Sequence, residues 1–174
     1  MGFVDNFLIM MALIAISCFF SMSEIALAAA RKIRLQALAD EGDFRALKVL
    51  KLQAHPGSFF TVVQIGLNAV AIMGGIVGEG AFRPYFETLL SPWVDPNWVS
   101  QSSFVLSFIC VTSFFILFAD LMPKRIAMVM PEKVAVNFVS AMMLCIKLLK
   151  PFVWLFNGLA NSLFKLLRIS MIRN

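Results

Sequence analysis

The stretch FLIMMALIAISCFFSMSEIALAAARKIR, Phe7 to Arg34, decides the fold. From Phe7 to Ala30 it is an apolar run interrupted by Glu24 and a few small polar residues. It stops on Arg31-Lys32-Ile33-Arg34. At ~1.5 Å per residue, a helix of this length crosses a ~30 Å hydrocarbon core. A span that ends on clustered cations points that end toward the cytoplasm.

The rest of the chain agrees with a bilayer setting. Of 174 residues, 60% are hydrophobic and 14% charged, where a soluble domain has about 45–50% and about 25%. A soluble chain of this length has no interior large enough for that apolar surface; a membrane protein turns it to lipid. The net charge of +5 lies beside apolar runs, so it reads as orientation in the bilayer and not as a nucleic-acid interface. Cys18, Cys110 and Cys145 sit inside apolar runs with no CxxC spacing, so neither a disulfide nor a metal framework is supported. Ala15-Ile16-Ser17-Cys18 resembles a lipoprotein cleavage box, but no basic segment precedes it, so the N-terminal run reads as a retained span.

A second apolar run covers Phe59 to Ala81 and a third Phe104 to Met122. Between the first two, residues 31–57 hold two pairs of leucines, Leu35/Leu38 and Leu47/Leu50, around an Asp40-Glu41-Gly42-Asp43 turn. This predicts a short cytoplasmic pair of amphipathic helices. Residues 82–101, with Pro84, Pro92, Pro96, Tyr85, Trp93 and Trp98, predict a loop at the opposite interface. Residues 132–168 are apolar but broken by Lys147, Lys150 and Pro151. They predict a juxtamembrane belt or a bent, re-entrant helical hairpin, and not one more full crossing. Loop 31–57 carries six Lys/Arg and loop 82–101 only Arg83, which places the N-terminus outside. The expected fold is all-α and integral to the membrane, with three transmembrane helices and amphipathic juxtamembrane helices.

Polar groups inside spans are costly and need a reason. Ser17 and Ser21 share one helix face, followed by Ser23 and Glu24. Their hydroxyls are neutral oxygen ligands, or else they bond back to their own helix. In Gln64-Ile65-Gly66-Leu67-Asn68, Gly66 allows close backbone approach and Asn68 offers a carbonyl oxygen; interhelical hydrogen bonding is the alternative. Asp120 precedes Pro123, which has no N–H and frees the carbonyl of Ala119. A carboxylate beside a free carbonyl suits a cation; a salt bridge to Lys124 is the alternative. Gly74 and Gly78 form a small-xxx-small pair for helix packing. The only histidine, His55, lies in a turn, and no nucleophile–base pair is visible, which argues against an enzyme. Oxygen ligands without imidazole or thiolate suit a hard cation or an ammonium group.

These same segments carry a resemblance. Phe19-Phe20-Ser21-Met22-Ser23-Glu24-Ile25-Ala26-Leu27 resembles the first-span motif of the CorC/cyclin M (CNNM) family of hemolysin-like transporters. Gln64-Ile65-Gly66-Leu67-Asn68 is similar to its second-span motif, and Asp120-Leu121-Met122-Pro123-Lys124-Arg125-Ile126-Ala127 to its acid-x-x-Pro-Lys motif. The resemblance spans residues 1–174 and implies a multi-pass homodimer of the bacterial inner membrane. It implies Mg²⁺ export driven by Na⁺, with no tightly bound cofactor. It also implies CBS-type domains downstream of the membrane part. Carried over by motif, the cation ligands are Ser17, Ser21, Asn68 and Asp120. The family usually has Gly-Glu where this chain has Ala119-Asp120. An acid one methylene shorter fits octahedral Mg²⁺ poorly. With the surrounding residues, it looks closer to a bacterial subgroup of cadaverine and putrescine exporters. The reading is therefore polyamine efflux, with Na⁺-coupled Mg²⁺ efflux and a non-transporting membrane sensor as alternatives.

Overall fold

A computed structural model describes residues 2–167. Helix α1 (Phe3–Ala29) is followed by two short helices, α2 (Lys32–Asp40) and α3 (Phe44–Ala54). Then come α4 (Gly57–Leu90) and α5 (Pro96–Phe115). A π-helical segment (Ile116–Leu121) joins α5 to α6 (Met122–Val129), and α7 (Pro131–Leu166) follows.

Among the described residues four helical stretches, not three, are long and apolar enough to cross a membrane: Phe3–Ala29, Gly57–Leu90, Pro96–Val129 and Pro131–Leu166. This corrects the three-span expectation and the reading of 132–168 as a belt or re-entrant hairpin. The reason is continuity. Pro151 lies inside α7 without ending it, and two lysines leave the surrounding window strongly apolar. The expected loop 82–101 also shrinks. Helix α4 continues through Pro84 to Leu90, because Arg83 pairs with Glu79 and Glu87, each at 3.4 Å and one turn away.

The spans meet along small residues. A methyl group on Gly74 would strike the ring of Phe115, and one on Gly78 would strike Val111. Both glycines therefore let α5 approach α4. The core lies nearer the basic end, where Phe20, Ala26, Leu27, Leu35, Val49, Phe59, Val63 and Val139 pack together. Two side chains fasten the α2–α3 hairpin there. Gln53 Nε2 donates to the carbonyls of Leu27 and Ala30 at 3.0 and 2.9 Å, satisfying the free end of α1. Buried Glu132 accepts from the Arg31 N–H at 3.0 Å and so stands at the start of α2. Gly42, at φ +99°, makes the turn between the two helices.

Candidate functional site

The acid-x-x-Pro segment shapes the site through its backbone. The Met122 N–H reaches five residues back, to the carbonyl of Leu117, which widens the helix by a residue. Pro123 then offers no N–H to the preceding turn. The carbonyls of Phe118 and Ala119 find donors on α1 instead. Ser17 Oγ and Ser21 Oγ each donate to the Ala119 carbonyl at 3.2 Å. Cys18 Sγ donates to that of Phe118 at 3.4 Å. The two serines thus bond across to the third span. Ser21 Oγ has a second acceptor within reach, Asp120 Oδ1 at 3.3 Å. A hydroxyl has one proton, so it serves Ala119 or Asp120 but not both at full strength.

These contacts frame a cavity of about 310 Å³. Ser17 and Glu24 of α1, Gln64 and Asn68 of α4, and Ala119, Asp120 and Lys124 line it. The separate motifs at Ser17, Asn68 and Asp120 therefore converge on one space. Ser21 is fully buried and joins through its bonds to Ala119 and Asp120. Gly66 is not on this wall: a methyl there would meet the ring of Phe20, so its small size serves packing between α4 and α1. Ser23 is also off the wall; it is buried, and its Oγ has no hydrogen-bond partner among the described residues. Pro123 is buried at the start of α6.

Lys124 enters the cavity. Its Nζ lies 3.1 Å from Asp120 Oδ1 and 3.9 Å from Glu24 Oε2. The salt bridge weighed from sequence is thus present, but it lies inside the cavity and includes a second acid. Two acids face one ammonium, so the cavity carries a formal charge of −1. With Lys124 swung out it would carry −2. The lysine side chain is a four-methylene primary ammonium, and its charge sits on a carboxylate beside hydroxyl and amide oxygens. Among the described residues, no group of three or more His, Cys, Asp or Glu side chains is placed to hold a metal ion.

The Asp120–Lys124 salt bridge is legible from its i+4 spacing, but as an alternative to a cation site and not as part of one. Glu79 was not singled out. It lies inside α4 beside Arg83, and its carbonyl accepts from Ser107 Oγ at 3.3 Å. A lone acid before a cation four residues on was the signal there.

Comparison with known proteins places the chain. A family model described as the cyclin M transmembrane N-terminal domain matches residues 8–174. A polyamine export protein of Salmonella typhimurium is 56% identical over 170 residues, covering 98% of this chain and 38% of that protein. A protein of the same description from Escherichia coli K12 is 55% identical, again over 98% and 38%. One from Haemophilus influenzae is 49% identical over 99% of this chain and 40% of its own length. The chain thus spans about two fifths of the length of these curated relatives.

Proposed function

Because this chain belongs to the cyclin M transmembrane domain family, we propose that it exports a polyamine across the bacterial inner membrane through the cavity around Asp120. One observation carries the reading: an alkylammonium, that of Lys124, lies 3.1 Å from the Asp120 carboxylate in a cavity walled by hydroxyl and amide groups. A polyamine terminus has the same chemistry as that side chain. The names of the relatives support the same substrate class.

The residues have distinct roles in this reading. Asp120 accepts a charge-assisted hydrogen bond from the substrate ammonium. Glu24 adds the second negative charge, so that the cavity without Lys124 balances a dication. Ser17, Ser21 and Asn68 take up remaining N–H donors. Ser17 and Ser21 keep their lone pairs for this, since their protons go to the Ala119 carbonyl or, for Ser21, to Asp120. The homodimer implied by the resemblance belongs to the same proposal.

Uptake of labelled cadaverine into inverted membrane vesicles tests it. Asp120→Ala removes a charged hydrogen-bond acceptor worth about 1.5–3 kcal/mol, so apparent affinity should fall about 10- to 100-fold. Unchanged cadaverine uptake by Asp120→Ala vesicles would refute the assignment.

A further inference from the structure

Helix α7 carries Lys147 and Lys150 near its midpoint, in an otherwise apolar stretch. They are three residues apart and leave one face of the helix. With Ser58, Met143, Ile146 and Val153 they line a second cavity, of about 370 Å³. Neither lysine forms an ion pair among the described residues. Two unpaired cations sharing one cavity call for an anion.

The position says which one. Ser58 is in the first turn of α4, just after the basic α2–α3 hairpin. The cavity therefore lies where α4 enters the bilayer, at the depth of lipid phosphates. At ~1.5 Å per residue α7 is about 54 Å long, well beyond a ~30 Å core, so a large part of it lies outside the hydrocarbon. The flanking surface is apolar and exposed, through Leu144, Leu148, Phe152 and Trp154, the last 78% exposed. Acyl chains match such a surface, and a tryptophan matches the headgroup level.

We infer that this cavity binds the phosphate of an anionic phospholipid. Lys147 and Lys150 hold the phosphate oxygens, the Ser58 hydroxyl donates a further hydrogen bond, and the acyl chains lie along Leu144 and Leu148. Basic pockets between membrane helices recognise lipid headgroups in this way. The site is separate from the Asp120 cavity and does not depend on what that cavity carries.

Native mass spectrometry of the full chain in detergent tests it, with short-chain phosphatidylglycerol as the probe. Short-chain phosphatidylcholine, inorganic phosphate and a polyglutamate peptide serve as comparisons. Phosphatidylglycerol should bind saturably, and the Lys147→Gln/Lys150→Gln variant should bind it about 30-fold more weakly, from two near-surface cations. Ser58→Phe, which fills the cavity and keeps both charges, should also weaken it. A Lys32→Gln/Lys48→Gln control on the hairpin should bind like the unmodified chain. Equal loss in that control would mean diffuse surface charge and overturn the site. So would unaltered binding in both cavity variants. Inorganic phosphate binding as well as the lipid would replace the lipid by a soluble anion. Capture of the peptide but not the lipid would assign the cavity to a protein segment.

Discussion

At the scale of single residues, the central feature is a contest for Asp120. Its partner is Lys124, the one ammonium among the described residues that line the cavity. Both side chains are partly exposed, at 43% and 32%, and such a pair is worth about 1 kcal/mol or less. A substrate amine that makes the same contact plus bonds to Ser17, Ser21 or Asn68 can displace it. On the proposed reading, Lys124 is a tethered competitor. Lys124→Gln should tighten cadaverine binding by up to about fivefold, measured by calorimetry on the detergent-solubilised chain. Weaker binding in Lys124→Gln would show instead that the lysine holds the acids in place. Ser17, Asn68 and Asp120 were legible in the sequence because a polar group inside an apolar run is conspicuous. The Asp120–Lys124 pair was legible from its i+4 spacing, but only as an alternative to a site; Glu79 was not, because it lies near an interface where a charge needs no special account. Gly66 was read as access for a ligand, whereas its neighbour is the ring of Phe20; the spacing that exposes a backbone also admits an aromatic ring.

At the scale of elements, the π-helical segment and Pro123 make the site possible. A regular helix would keep the Ala119 carbonyl for itself, and Ser17 and Ser21 would have no acceptor across the interface. The freed carbonyl was legible from Pro123 alone; the widening over 116–121 was not, since it adds a residue to a turn without any change in apolar pattern. Pro123→Ala restores the missing N–H. It should leave thermal stability equal or raised, since proline inside a helix is unfavourable by about 3 kcal/mol, while cadaverine binding falls about tenfold, a loss of about 1.4 kcal/mol. Parallel melting and binding curves check this; unchanged binding would detach the serines from the site. The α2–α3 hairpin shows a different kind of local control. Asp43 accepts from the Arg45 N–H at 3.0 Å and from Arg45 Nε at 3.1 Å, and this side-chain bond holds its carboxyl below the usual carboxylate range. A lowered folded-state value means stabilisation present above about pH 4 and lost as acidity passes through that lower value. The cap is therefore intact at neutral pH.

At the scale of the whole molecule, charge and apolar surface divide the protein. The basic hairpin and the turn near Ser91 lie at opposite ends of α4, and the cation count orients them. In a background with Cys18, Cys110 and Cys145 replaced by Ala, Ser91→Cys should react with an impermeant thiol reagent in intact cells. Glu41→Cys should react only after permeabilisation. The reverse pattern would invert the orientation. The membrane class and the first three spans were legible because an apolar run of about 20 residues is long enough to cross the hydrocarbon core and too apolar for a water-facing helix. The fourth was obscured by Lys147, Lys150 and Pro151. These break a run on paper, but a helix held by its neighbours' packing carries them without interruption.

The central claim is that the Asp120 cavity receives a primary ammonium. A density map of the protein with cadaverine bound tests it most directly. The account predicts an elongated density ending ~2.8 Å from the Asp120 carboxylate, near Ser21 and Asn68, with Lys124 Nζ moved off Asp120. A compact density with six oxygen ligands at ~2.1 Å would instead identify Mg²⁺, and Lys124 unmoved over an empty cavity would contradict the account outright.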